Sequence, residues 1–178
     1  MRVKWPKYAG LAAAVVLTAA VGGELLGLGK EPPLKPEERQ IAGKDLKGKA
    51  WSLRDHLGRR PVVVSFFATW CSPCREEVPQ LVEMESKFRN RGLQVVLLSE
   101  EDEKTLRENH LQNAPIPVLA NMTRTFTQFK VDGIPRTLYF NKSGKLAADL
   151  SGYDAGGLKK ISGELEKLPA LSASAASP

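Results

Sequence analysis

The feature that most limits what this chain can fold into is a junction. Pro61 to Ala68 is an almost unbroken run of β-branched and aromatic residues, and it leads through Thr69 into Trp70-Cys71-Ser72-Pro73-Cys74. Such a run is the signature of a strand buried on both faces. From Pro73 to Arg91 the period changes. Val78, Leu81, Val82, Met84 and Phe88 recur at three- and four-residue steps, and Gly92 ends the pattern, as expected of an amphipathic helix closed by glycine. The only cysteines in the chain therefore sit between a buried strand and a long helix.

Strand and helix patterns alternate around that junction. Gly48 to Leu53 reads as a short strand and Leu93 to Leu98 as a second buried one. Asp102 to Leu111 is a charged amphipathic helix with Asp102 as its cap. Pro117 to Ala120 is expected as a short edge strand and Thr123 to Phe129 as a short helix. Arg136 to Asn141, the turn Lys142-Ser143-Gly144 and Lys145 to Leu150 form a hairpin pattern. Ala155 to Leu168 is a closing helix. The expected fold class is α/β, with a central mixed β-sheet flanked by helices on both faces.

The position of the cysteines has chemical consequences. Two intervening residues let the sulfurs close a small loop that opens and closes easily. Cys71 falls at the helix N-terminus, where unpaired N–H groups and the macrodipole favour an anion. A thiolate is the reactive form, so this placement lowers the Cys71 pKa from the free value of about 8.5. Cys74 lies one turn inside and is expected to be shielded, while Pro73 suits a first helical position. A structural disulfide is the plainer alternative, but so small a loop stabilises little through chain entropy. Zinc is another, yet the remaining candidates, His56 and His110, lack metal-like spacing. No metal and no cofactor are expected.

At 178 residues the chain is long enough for one domain with a substantial core. Its net charge of +6 comes without a dense basic run, which argues against nucleic acid as a partner. Arg2, Lys4 and Lys7 precede an uncharged apolar stretch from Tyr8 to Gly23. Extended to Leu28, it spans about 31 Å as a helix at ~1.5 Å per residue. Residues 1–29 therefore read as a transmembrane anchor that leaves the rest outside the cytoplasm, or as a signal peptide with Ala20 and Gly22 near the cleavage point. A buried helix of a soluble domain is the third reading. Residues 30–36 form a proline-rich linker, 37–170 the folded domain, and 171–178 a disordered tail.

Phe66-Phe67-Ala68-Thr69-Trp70-Cys71-Ser72-Pro73-Cys74-Arg75-Glu76-Glu77-Val78-Pro79 resembles the thioredoxin-like TlpA/ResA/CcmG group of membrane-anchored thiol–disulfide oxidoreductases. Val131-Asp132-Gly133-Ile134-Pro135-Arg136-Thr137 is similar to the group's cis-proline loop, and Asn141-Lys142-Ser143-Gly144-Lys145 matches its hairpin turn. The likeness covers about residues 41–168, but the group's usual Ala-Pro-Asp-Phe opening is missing, so the N-terminal hairpin is the least defined part.

The resemblance implies a thioredoxin fold and a set of roles. Cys71 attacks a substrate disulfide and Cys74 resolves the mixed disulfide. Pro135 packs against the pair through a cis bond that presents the backbone of Ile134 to a partner's extended segment. Trp70 flanks the active-site turn. Glu77, three residues after Cys74 on the same helical face, tunes proton transfer, and Ser65 stands where many thioredoxins carry a buried Asp. The alternative for Glu77 is a solvated helix carboxylate beside Glu76. Arg136 either meets an acidic partner or is solvated. His56 and His110 are structural, and Ser99 to Glu103 is a solvated turn and helix start, where acidic groups suit the dipole.

The implied partners are protein disulfides, among them apocytochromes c or other metalloprotein precursors, with a membrane dithiol donor supplying electrons. The domain is expected on the periplasmic or cell-surface side, anchored or as a cleaved, secreted form. A copper metallochaperone using the same thiols is the competing function. Peroxide reduction would want a Thr three residues before the reactive cysteine, where this chain has Ala68.

Overall fold

The computed structural model describes residues 40–171. The expected membrane segment and linker, and nearly all of the expected tail, lie outside the described residues. Among the described residues no helix is long and apolar enough to cross a membrane.

A five-stranded sheet is built in the order β5-β4-β3-β6-β7. Its strands are β3 (Val62–Phe66), β4 (Gln94–Leu98), β5 (Val118–Leu119), β6 (Arg136–Phe140) and β7 (Leu146–Ser151). β3, the run that anchors the sequence reading, is central and every residue of it is buried. β4 pairs parallel to it after the helix α1 (Ser72–Phe88), and β5 pairs parallel to β4 after α2 (Glu103–Glu108). β6 pairs antiparallel to β3, and β7 antiparallel to β6. The sheet is mixed, as expected. The β6–β7 turn is shaped by Asn141, whose Oδ1 accepts from the amides of Ser143 and Lys145 at 3.1 Å each. Gly144 follows at φ 80°, and a Cβ there would lie 2.9 Å from the Gly58 nitrogen, so both conformation and space require glycine.

The period-two alternation of the strands divides the core between two faces. On one, Val63, Val95, Leu97 and Tyr139 meet Leu81, Met84 and Phe88 of α1, with Leu158, Ile161 and Leu165 of α4 (Ala155–Glu166). On the other, Val62, Val64, Phe66, Val96, Leu98, Leu138 and Phe140 meet Phe126 of α3 (Thr123–Gln128) and the N-terminal residues Ile41, Trp51 and Leu53. Phe66 and Phe126 pack edge to face with ring centroids 5.0 Å apart, a favoured aromatic arrangement.

Several boundaries differ from the sequence reading. The N-terminal hairpin pairs β1 (Ala42–Lys44) with β2 (Ala50–Ser52) as a separate two-stranded sheet. α1 stops as an α-helix at Phe88 and tightens into a 3-10 turn over Arg89–Arg91 before Gly92 at φ 86°. α2 is shorter than its charge pattern suggested. Asn109 folds its amide back onto the Thr105 carbonyl, His110 adopts φ 64°, and a separate 3-10 turn covers Leu111–Asn113. Such a left-handed residue cannot continue a helix.

Candidate functional site

Cys71 and Cys74 are joined by a disulfide with the sulfurs 2.02 Å apart. Cys71 is the N-cap of α1, and its sulfur accepts from the amide of Cys74 at 3.2 Å. A sulfur held at this point faces the unpaired amides of the first helical turn, where negative charge is favoured. Cys74 is 1% exposed, as expected, and Cys71 only 4%, whereas Trp70 beside them is 72% exposed. Trp70 is the one large hydrophobic side chain left open among the described residues.

The Ile134–Pro135 bond is cis. Strand register explains its place: Arg136 pairs with Phe66, so Pro135 lies just past the end of β3, where the chain turns toward the cysteines. Ile134 packs against the buried cluster that includes Phe67, Ala68, Cys71 and Cys74. The Pro135 carbonyl accepts from the Gly152 amide at 2.8 Å, tying the loop to the end of β7.

Glu77 is fully buried, which excludes the solvated alternative. Ser65 on β3 and Thr137 on β6 are direct cross-strand partners. The Ser65 hydroxyl donates to Oε2 of Glu77 and the Thr137 hydroxyl to Oε1, each at 2.9 Å. The carboxyl of α1 thus spans two neighbouring strands, three residues along the helix from Cys74. Burial raises its pKa above the ordinary 4.5, and the two hydroxyl hydrogen bonds partly oppose that rise.

The expectation that residues 99–103 form a solvated turn and helix start is corrected at two positions, Ser99 and Glu101. Ser99 is fully buried. The Glu101 carboxylate accepts from the Thr69 amide at 2.8 Å, the Thr69 hydroxyl at 2.6 Å and the Ser99 hydroxyl at 3.0 Å. It holds the turn that delivers Trp70 and Cys71, and the sequence reading missed it. Asp102 caps α2 as expected, accepting from the Thr105 amide at 2.7 Å. Thr69 directs its hydroxyl to Glu101 rather than supplying the one that peroxide chemistry would want at position 68.

Arg136 is largely withdrawn from solvent, which corrects the solvated alternative. It forms a two-pronged ion pair with Asp149 and donates to main-chain carbonyls. His56 is half-buried against Trp51, with ring centroids 5.2 Å apart, and burial lowers its pKa from 6.5. Among the described residues no group of three or more His, Cys, Asp or Glu side chains is arranged to hold a metal ion.

The profile described as the AhpC/TSA family matches residues 37–149. The thiol–disulfide oxidoreductase ResA of a Bacillus cereus strain is 26% identical over 148 residues, covering 82% of this chain and 80% of the relative. ResA of Bacillus subtilis (strain 168) is 27% identical over 111 residues, covering 61% and 62%. Among solved structures, a thiol:disulfide interchange protein of the thioredoxin family from Chlorobium tepidum TLS superposes with a TM-score of 0.61. It is 24% identical, with 73% of this chain and 93% of that chain covered, a likeness that shows the thioredoxin fold.

Proposed function

The chain belongs to the AhpC/TSA family, and on that premise we propose that it works outside the cytoplasm as a reductant of protein disulfides through Cys71 and Cys74. Its class is that of a thioredoxin-like thiol–disulfide oxidoreductase. The observation that carries the proposal is a disulfide-forming pair at the tip of α1, beside a cis-proline loop and under one exposed tryptophan.

In the reduced protein, the Cys71 thiolate attacks one sulfur of a substrate disulfide. That S–S bond breaks, a Cys71–substrate disulfide forms, and the other substrate sulfur leaves as a thiolate. Cys74 loses its proton and attacks the Cys71 sulfur. The mixed disulfide breaks, the second substrate thiolate leaves, and the Cys71–Cys74 bond closes. Two electrons have passed from the pair to the substrate. Glu77 is the acceptor of the Cys74 proton: it stands three residues further along α1. A carboxyl whose pKa burial raises lies closer to that of a thiol, which makes the transfer less uphill. Ile134 and Pro135 line the bed for the substrate's extended segment, with Trp70 on its rim.

A membrane dithiol donor then restores the reduced pair. The substrates are extracytoplasmic protein disulfides, with apocytochromes c and other metalloprotein precursors the leading class. The apolar stretch within residues 1–29 supports export.

Alkylation of the reduced protein tests the first step. Cys71 is expected to react at neutral pH faster than free cysteine, with an apparent pKa below about 8.5, while Cys74 stays protected until the fold opens. Equal rates for Cys71 and free cysteine would remove the basis of the proposal.

A further inference from the structure

We propose that Arg136 is a positioning residue that sets how well the protein discriminates protein disulfides from small ones. The inference rests on the function proposed above and adds a device to it.

Arg136 follows the cis proline directly and opens β6. Its Nε donates to Asp149 Oδ1 at 2.9 Å and its Nη2 to Oδ2 at 2.7 Å. Asp149 pairs with Leu138 across the β6–β7 ladder, while Arg136 itself pairs with Ser151. The ion pair is therefore a diagonal tie between strands, and the arginine side chain is only 19% exposed. The remaining edge of the guanidinium turns the other way. Nη1 donates to the carbonyl of Phe129 and, at 3.5 Å, to that of Lys130. These residues end α3: Phe129 is its C-cap and Lys130 takes φ 51°.

Between those carbonyls and the cis proline lie only Val131, Asp132, Gly133 and Ile134. Arg136 thus grips the chain where the loop begins while belonging to the residue just beyond its end. One planar group closes the loop into a ring and fastens that ring to β7. The Val131 amide adds a bond to the Phe126 carbonyl at 3.0 Å, again at the loop's start.

A protein substrate must lay an extended segment along the backbone of Ile134, so its binding depends on that backbone being set in advance. A small disulfide needs only access to sulfur. Loosening the ring should therefore weaken exchange with peptides and leave exchange with small disulfides in place. Lysine cannot replace the fork, because a single ammonium cannot serve a carboxylate edge and two carbonyls at once.

The test uses the full chain, reduced, with a disulfide-bonded peptide and with oxidised glutathione as separate substrates. For Arg136→Lys, kcat/KM for the peptide is expected to fall on the order of tenfold, mainly through KM, within the roughly hundredfold loss that a 1 Å misplacement can cause. The rate with oxidised glutathione and the alkylation rate of Cys71 should be unchanged. Asp149→Asn, which keeps the arginine and weakens one side of the clamp, should show a smaller loss of the same selectivity, and it carries the test should Arg136→Lys fail to fold. Equal losses with both substrates, or none with the peptide, would overturn the positioning role while leaving the redox reading intact. Failure of the unaltered protein to exchange with either substrate would overturn that reading, and the inference with it.

Discussion

With Cys74 replaced by serine, the protein is expected to accumulate in cells as a covalent adduct with its substrates. The first exchange needs only the Cys71 thiolate, held at the N-cap of α1, so capture proceeds. Release needs a second thiol within reach of the mixed disulfide. Cys74 fills that place, its amide 3.2 Å from the Cys71 sulfur, and a serine hydroxyl is no leaving or resolving group for disulfide exchange. Multiple turnover should stop, with at most one adduct formed per chain. Reduction with dithiothreitol should free the captured proteins, whose identities would name the substrates. Cys71→Ser with Cys74 retained should give no adducts, because Cys74 lies inside α1 rather than at its N-cap and lacks the helix-tip position that favours a thiolate. Adducts that persist without Cys71 would mean that the attacking sulfur has been misassigned.

The second large effect is expected at Glu77, where stability and activity should move in opposite directions. The folded protein holds the Glu77 proton more tightly than the unfolded chain, since burial raises its pKa above 4.5. Well below pH 4.5 the carboxyl is neutral in both states and costs nothing extra. As pH rises past 4.5 the unfolded chain ionises first, so stability is lost progressively until the folded-state pKa is passed. Above that point the deficit is constant. Glu77→Gln removes the titration, and the Ser65 and Thr137 hydroxyls can rotate to meet the amide. The variant should therefore melt near the wild-type temperature at pH 4 and above it at pH 7. Its single-turnover resolution step should be slower, with the pH dependence of disulfide exchange flattened toward that of a bare thiol. A melting difference that does not vary with pH would remove Glu77 from the ionisable core. An unchanged exchange profile would remove it from the chemistry.

What could be read beforehand followed the range of the interactions. β3, the cysteine pair and α1 are contiguous, so their order and the helix-tip placement of Cys71 were legible from period and spacing alone. The cis bond before Pro135 came from motif likeness rather than from any local rule. Glu77 was ambiguous because Val78 and Val82 share the apolar stripe of α1, yet they are only half-buried while Glu77 is fully enclosed. What encloses it is the pairing of Ser65 with Thr137, residues 12 and 60 positions away from it in sequence. Glu101 was hidden in an acidic run that reads as solvent-facing. Its partner Thr69 is 32 residues distant, and the only hint was a threonine placed two residues before the first cysteine. Arg136 was misread for the same reason, since its partner Asp149 belongs to the next strand. The early end of α2 depends on His110 entering a left-handed conformation, which its charge pattern does not encode.

The proposed function requires the Cys71–Cys74 bond to be a reversible redox couple rather than a fixed brace. Titration of the purified full chain against glutathione buffers of graded ratio, followed by mass after alkylation, measures this directly. The pair should pass from dithiol to disulfide in one two-electron step, with Trp70 fluorescence changing in parallel. A pair that keeps a single state at every ratio, from fully reducing to fully oxidising, would contradict the account.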